Sequence, residues 1–199
     1  MSTNTTSVWR KKLKELEIVV VIPTYNNGKT LAAVIEEVCR YADDIIVVND
    51  GSTDDTANIL EQYPAIRTIT HPVNKGKGTA LKHGLSQAKK EGFRYAITID
   101  SDGQHFASDI PCFIEAIEKE PDTLLVGARN LASDNMPGKN TFANKFSNFW
   151  FRLETGLKLE DTQSDTAFTL CAKWMCKAAG TPPNTNLSWK PSSLPHGEM

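Results

Sequence analysis

From Ile18 onward the chain alternates short β-branched runs with stretches whose apolar positions recur every three to four residues. Ile18–Ile22 is an unbroken apolar run, the pattern of a strand buried on both faces in a parallel sheet. It ends in the polar turn Pro23-Thr-Tyr-Asn-Asn-Gly28, after which residues 29–40 set Leu31, Val34, Ile35 and Val38 on one helical face. Ile45–Val48 repeats the strand pattern and ends in Asn49-Asp50-Gly51-Ser52. Thr53 and Thr56 open a second helix, with Asp54 and Asp55 in the first turn, where the helix dipole favours negative charge. Ile66–Thr70 is a third strand, and Asn74-Lys-Gly-Lys-Gly78 a basic, glycine-rich link to a helix reaching about Lys90. Tyr95–Ile99 makes a fourth strand, followed by a helix over Ser108–Lys119 and a fifth strand over Thr123–Val126, ending in Gly127-Ala-Arg129-Asn130. Helical character returns over Asn144–Leu157. This alternation predicts an α/β sandwich around a mostly parallel sheet.

In such sheets ligands bind outside the carboxyl ends of the strands. That rule gathers Pro23 to Asn27, Asp50, Asp100 to Gln104 and Arg129 at one edge. Asp100 and Asp102 stand at i and i+2 just past the fourth strand. Extended alternation would put both on one side, facing one ion, and oxygen-only ligands suit Mg²⁺ or Mn²⁺ better than zinc. Asp, Ser and Gly are also good turn formers. Four polar strand ends in register shift the balance from turn chemistry to a site.

Other chemistries lack their residues. His105 stands where an EF-hand loop needs glycine, the upstream glycine of a Walker A loop is missing, and there is no Gly-x-Ser-x-Gly elbow. The histidines are scattered along the sequence and read as structural or exposed.

At 199 residues and 22.0 kDa the chain is one domain's worth. Its 22 basic and 24 acidic residues argue against broad nucleic-acid binding. No apolar run approaches the ~18 residues of a membrane span, and Met1 to Ser7 lacks a secretory leader's apolar core. Cys39, Cys112, Cys171 and Cys176 show no Cys-x-x-Cys spacing, which predicts reduced thiols and a cytoplasmic location. Residues 1–17 form a polar, basic lead-in; Val8–Glu17 reads as a helix with a solvated face, or one resting peripherally on the anionic inner face of a membrane.

Six motifs occur in order: Val20-Val-Ile-Pro-Thr-Tyr-Asn26, Val47-Val-Asn-Asp-Gly-Ser-Thr-Asp54, Asn74-Lys-Gly-Lys-Gly78, Asp100-Ser-Asp-Gly-Gln-His105, Val126-Gly-Ala-Arg129 and Asp161-Thr-Gln-Ser164. Together they resemble the family 2 glycosyltransferases of GT-A fold, and among these the dolichyl-phosphate mannose synthases and related polyprenyl-phosphate glycosyltransferases. The resemblance covers residues 18–164 and implies a metal-dependent, inverting transfer of a hexose from a GDP- or UDP-sugar. The acceptor would be a polyprenyl phosphate or a glycan.

The resemblance also implies roles. Pro23, Tyr25 and Asn27 would line the nucleotide, although the branch usually carries Glu at this last position. Val48 and Asp50 would meet the base and ribose, with Asn49 replacing a usual Asp. Asp100, Ser101 and Asp102 would hold the metal-diphosphate, Gln104 completing the metal shell with Asp100 and Asp102. Arg129 would meet a phosphate through its guanidinium fork. An acceptor hydroxyl would need a general base, for which Asp161 is the candidate; a lipid phosphate needs none.

Residues 165–199 depart from that pattern. The branch continues Gly-Phe/Tyr-Arg after the last motif, whereas here Asp165-Thr-Ala follows, and Gly180–Met199 is rich in Pro, Ser and Asn. Asp165–Leu170 can be encoded so that one restored G yields Gly-Tyr-Arg-Leu-Tyr-Pro. In the same frame, residues 184–190 permit Lys-Tyr-Glu-Phe-Glu-Leu-Glu, resembling a later motif of the branch. The expectation is a frame-shifted segment after Ser164 that leaves the C-terminal part of the fold incomplete, with a disordered tail after about Ala179. The rival expectation is a degenerate nucleotide-binding remnant without transfer activity.

Overall fold

The computed structural model describes residues 3–119, 121, 125–127, 167–169 and 188–189. The elements are α1 (Thr3–Glu15), β1 (Ile18–Thr24), α2 (Leu31–Cys39), β2 (Ile45–Asn49), α3 (Thr56–Glu61), β3 (Arg67–Thr70), α4 (Lys77–Lys90), β4 (Tyr95–Thr98), a 3₁₀ turn (Ala107–Asp109), α5 (Ile110–Lys119), β5 (Leu125–Gly127), β6 (Ala167–Thr169) and β7 (Ser188–Trp189).

The strands form one sheet in the order β3-β2-β1-β4-β6-β5-β7. β3, β2, β1 and β4 are mutually parallel, whereas β6 runs antiparallel to both β4 and β5. β1 and β2 are buried along their whole length, as their unbroken apolar runs require. Period-two alternation divides their side chains. Ile18, Val20, Ile22, Ile45 and Val47 face a core closed by Leu13 of α1, Leu31 and Ile35 of α2, Ile59 of α3 and Ile114 of α5. Val19, Val21, Ile46 and Val48 face Ala80 and Ala88 of α4. Each buried Val, Ile or Leu side chain contributes about 1.5–3 kcal/mol, so the central strands are the rigid base on which the strand-end loops sit.

The predicted α/β alternation holds, and Leu31, Val34, Ile35 and Val38 form the buried face of α2. Two expectations change. β4 ends at Thr98, and Asp100 to Gly103 is a turn closed by a φ of 80° at Gly103, so strand alternation does not set the direction of Asp102. The turn is stabilised locally, because Asp102 Oδ1 accepts the backbone N–H of Gln104 at 2.9 Å. The second change concerns the segment after about Ala179, where the sequence predicts a disordered tail: Val126 and Gly127 of β5 pair in parallel with Ser188 and Trp189. The helix expected over 144–157 and most of the segment read as frame-shifted lie outside the described residues.

The parallel register aligns the functional edge. Beyond the strands, the Asp50 N–H donates to Thr24 O at 2.9 Å, the His71 N–H to Asn49 O at 2.9 Å and the Ile99 N–H to Val21 O at 3.1 Å. The ladder therefore carries Asp50, His71 and Asp100 to the same carboxyl edge.

Candidate functional site

A cleft of about 350 Å³ opens at that edge, lined by Pro23, Thr24, Tyr25, Asn27, Asp50, Asn74, Lys77, Ala80, Asp100, Ser101 and Asp102. Of the residues singled out in the sequence, Pro23, Tyr25, Asn27, Asp50, Asp100, Ser101 and Asp102 meet here. Val48 does not line the cleft: it is fully buried against α4, where β-sheet alternation sends its side chain. Gln104 is exposed beside the turn and is not among the lining residues. Arg129 and Asp161 lie outside the described residues.

Three loops are stitched together before any ligand arrives. Asn26 accepts the Thr53 N–H on its side-chain oxygen at 2.8 Å, while its own N–H donates to Ser52 Oγ at 3.0 Å. Asp54 accepts the Gly28 N–H at 2.9 Å and the Thr56 hydroxyl at 2.5 Å. The Thr56 hydroxyl bond lowers the Asp54 carboxyl below its usual range; burial opposes this, and the Gly28 and Thr56 amides reinforce it. On the other side, Asn27 Nδ2 donates to Ser101 Oγ at 2.8 Å and Thr30 Oγ1 to the Ser101 carbonyl at 2.6 Å. Ser101, only 1% exposed, is thus the anchored middle of the Asp100–Asp102 turn. Asn27 and Ser101 spend these polar contacts on each other, which makes them supports of the aspartate turn. Asn49, buried, caps its own loop by accepting the Ser52 N–H at 3.0 Å.

The charged groups of the cleft are ordered in two clusters. At one, Lys77 Nζ lies 2.8 Å from Asp100 Oδ2, and the Asp100 N–H donates to His105 Nδ1 at 3.1 Å. At the other, Asp50 is 2% exposed and its Oδ1 accepts from His71 Nδ1 at 2.6 Å and from the Lys75 N–H at 3.0 Å. Burial pushes the Asp50 carboxyl up, but the His71 hydrogen bond and the Lys75 and Gly76 amides outweigh it and hold the group below its usual value. The Thr24 hydroxyl is buried in the cleft wall and has no hydrogen-bond partner among the described residues. A buried hydroxyl left so costs stability unless a ligand or water satisfies it.

Sequence reasoning assigned no individual role to Lys77, Asn74, Thr24 or the histidines. The glycine-rich Asn74–Gly78 link was legible as a basic loop, and its reach to Asp100 follows from how α4 packs on the sheet. His71 and His83 are brought together only by the fold, and His105 meets the Asp100 N–H across the turn. Among the described residues no group of three or more His, Cys, Asp and Glu forms a metal cluster. Cys39 and Cys112 are free thiols, and burial raises both.

Residues 19–177 match the glycosyl transferase family 2 domain, a span that runs past Ser164. The chain is 31% identical over 167 residues to the UDP-N-acetylglucosamine–dolichyl-phosphate N-acetylglucosaminyltransferase of Methanococcus voltae, covering 74% of this chain and 66% of that protein. It is 26% identical over 152 residues to the polyprenol monophosphomannose synthase of Mycolicibacterium smegmatis, covering 71% of this chain and 57% of that one. The chain thus spans about two thirds or less of the length of these relatives. Its fold is similar to that of glucosyl-3-phosphoglycerate synthase from Mycobacterium tuberculosis, solved with Mn²⁺, UDP-glucose and phosphoglyceric acid, with a TM-score of 0.63, 23% identity and coverage of 83% of this chain and 61% of that one. The mostly parallel sheet is that of a GT-A glycosyltransferase, and the chain belongs to glycosyl transferase family 2.

Proposed function

We propose that this chain carries the donor half of a metal-dependent glycosyltransferase that moves a hexose from a nucleoside-diphosphate sugar to a polyprenyl phosphate. The observation that carries this reading is the cleft itself. Asp50, Asp100 and Asp102 line it together, Lys77 pairs with Asp100, and the whole sits at the carboxyl edge of a family 2 domain. Relatives named for dolichyl-phosphate and polyprenol transfer support the acceptor class.

The donor set suits a hard divalent cation. Asp100 and Asp102 offer carboxylate oxygens, and Asp100 already holds the cationic Lys77 ammonium at 2.8 Å. These two residues would hold Mg²⁺ or Mn²⁺, with Gln104 near the turn; the solved neighbour with Mn²⁺ and UDP-glucose favours such a pairing. When bound, the metal would neutralise charge developing on the diphosphate leaving group. The protein's own groups do the rest: Tyr25, 44% exposed, offers a face to a flat base, and the Thr24 hydroxyl offers a donor or acceptor. Arg129 would add a guanidinium for phosphate, and Asp161 a base for a hydroxyl acceptor.

Membrane contact, where it occurs, would be peripheral. Among the described residues no helix is long and apolar enough to cross a bilayer. The cations of α1 are largely committed within the protein: Arg10 to Asp43 at 3.0 Å, Lys12 to Glu118 at 2.8 Å and Lys11 to Glu15 at 3.5 Å. Paired in this way they contribute less than the ~1 kcal/mol that a basic residue near an anionic surface supplies.

Calorimetry with UDP and GDP, with and without Mn²⁺, tests the donor reading, followed by transfer assays from UDP- and GDP-hexoses to a short polyprenyl phosphate. Metal-dependent binding and transfer are expected. Binding without hydrolysis or transfer would identify a nucleotide-binding remnant, and no metal effect on binding would refute the metal assignment.

A further inference from the structure

From Asp50 in the cleft wall a hydrogen-bonded chain continues into two side chains, His71 and His83, that the donor reading does not use. His71 Nδ1 lies 2.6 Å from Asp50 Oδ1, and His71 Nε2 lies 2.7 Å from Nδ1 of His83 on α4. The two imidazoles meet edge to face, with centroids 4.8 Å apart and planes at 89°. His71 is 5% exposed, and its backbone is pinned by the N–H bond to Asn49 O at 2.9 Å, so the ring has little freedom to turn away. His83 is exposed and joins the chain to solvent.

Proton counting gives the chain a direction. An ionised Asp50 can only accept, so the hydrogen on His71 must sit on Nδ1. Neutral His71 then presents a lone pair on Nε2, which requires a hydrogen on His83 Nδ1. Moving the His71 hydrogen to Nε2 breaks both contacts, and moving the His83 hydrogen to its Nε2 breaks the contact between the rings. An additional proton taken up by the pair would also leave Nδ1–H facing the carboxylate. Both the His71 and Lys75 bonds use Oδ1.

We propose that His71 and His83 are positioning residues that keep Asp50 an acceptor in one orientation, so that the cleft takes nucleobases bearing a ring N–H and rejects those presenting a ring lone pair. Uracil and guanine carry that N–H; cytosine and adenine place an unprotonated nitrogen at the corresponding position. A lone pair set against a carboxylate leaves both groups unsatisfied, a penalty of about tenfold or more in affinity. Without His71 the buried Asp50 would lose its fixed donor and would take up a proton more readily. A protonated carboxyl both donates and accepts, so discrimination would collapse.

The inference rests on the nucleoside-diphosphate reading, and two measurements separate their fates. The first is ¹⁵N NMR of the imidazoles in the ligand-free full chain, expected to show His71 as the Nδ1–H form; the Nε2–H form would overturn the proposal. The second is calorimetry of UDP, GDP, CDP and ADP with Mn²⁺ for wild type, His71→Ala, His71→Asn and His83→Leu, each checked for native folding by circular dichroism. The wild type should favour whichever of UDP and GDP it binds over CDP and ADP by about tenfold or more. His71→Ala should narrow that ratio severalfold, and His71→Asn, whose amide can replace the Nδ1–H donor, should restore it. His83→Leu should narrow it less. Equal loss for all nucleotides, or an unchanged ratio, would reduce His71 to a structural part and overturn the proposal while the donor reading stands. Should the wild type bind no nucleotide, the donor reading and this selectivity fall together, even if NMR shows the Nδ1–H form.

Discussion

Gly51 joins the core to the cleft, and its replacement by alanine tests how tightly. Its φ is +70°, and an added Cβ would lie 2.4 Å from the carbonyl carbon of Val73 and 2.5 Å from the backbone nitrogen of Asn74. Ordinary contacts need 3.4–4 Å, so the Val73–Lys75 backbone must retreat by about 1 Å, and backbone cannot rotate away as a side-chain tip can. The left-handed conformation alone costs about 1–2 kcal/mol for a residue with a Cβ. The retreat also breaks the Lys75 N–H bond to Asp50 at 3.0 Å, worth about 1.5–3 kcal/mol as a charged hydrogen bond. The sum is about 2.5–5 kcal/mol, which at a urea slope of about 2 kcal/mol/M lowers the unfolding midpoint by roughly 1–2.5 M. Gly92→Ala is the matched control: its φ is +89°, but nothing lies within 4 Å of the added carbon. It should show only the conformational cost, about 1–2 kcal/mol or 0.5–1 M. UDP or GDP affinity should fall in Gly51→Ala and hold in Gly92→Ala. Equal midpoint shifts in the two variants would refute the reasoning, because the close approach would then contribute nothing.

Three further outcomes are expected. Asp102→Ala should abolish the Mn²⁺ dependence of nucleotide binding, at a cost of at least about 1.5–3 kcal/mol in calorimetry; unchanged metal-dependent binding would remove Asp102 from the metal site. Thr30→Val should leave the Ser101 carbonyl without the hydroxyl it accepts at 2.6 Å, costing about 1–3 kcal/mol and weakening Mn²⁺ binding, whereas Thr30→Ser should restore both; a Ser variant no better than Val would show that the hydroxyl is idle. Asp54→Asn should destabilise the protein at pH 7 and progressively less below about pH 4. Its folded carboxyl is depressed below 3.8, so the stability it supplies is present above the unfolded value and disappears as pH falls through the folded one. A stability gap between wild type and Asp54→Asn that stays constant from pH 7 to pH 3 would contradict the assignment.

Local pattern determined the α/β alternation from Ile18 to Lys119. A continuous β-branched run such as Ile45–Val48 has few stable choices other than a doubly buried strand, and the spacing of Leu31, Val34, Ile35 and Val38 fits only one face of a helix. Because a parallel sheet aligns its carboxyl ends, the same pattern also placed Pro23, Tyr25, Asn27, Asp50, Asp100, Ser101 and Asp102 along one cleft. The direction of individual side chains was beyond its reach. Asp102 enters the cleft through a turn closed at Gly103, where the two-residue period of a strand no longer applies, and Val48 points to α4 because that period does apply. Asn27 and Ser101 become partners of each other only once α2 is laid against the Asp100 turn. The joining of Asp50, His71 and His83 depends on β2, β3 and α4 meeting at one edge. Hydrophobic periodicity is a property of neighbours along the chain, whereas a hydrogen bond between residues 21 or 74 positions apart exists only after packing has set their distance.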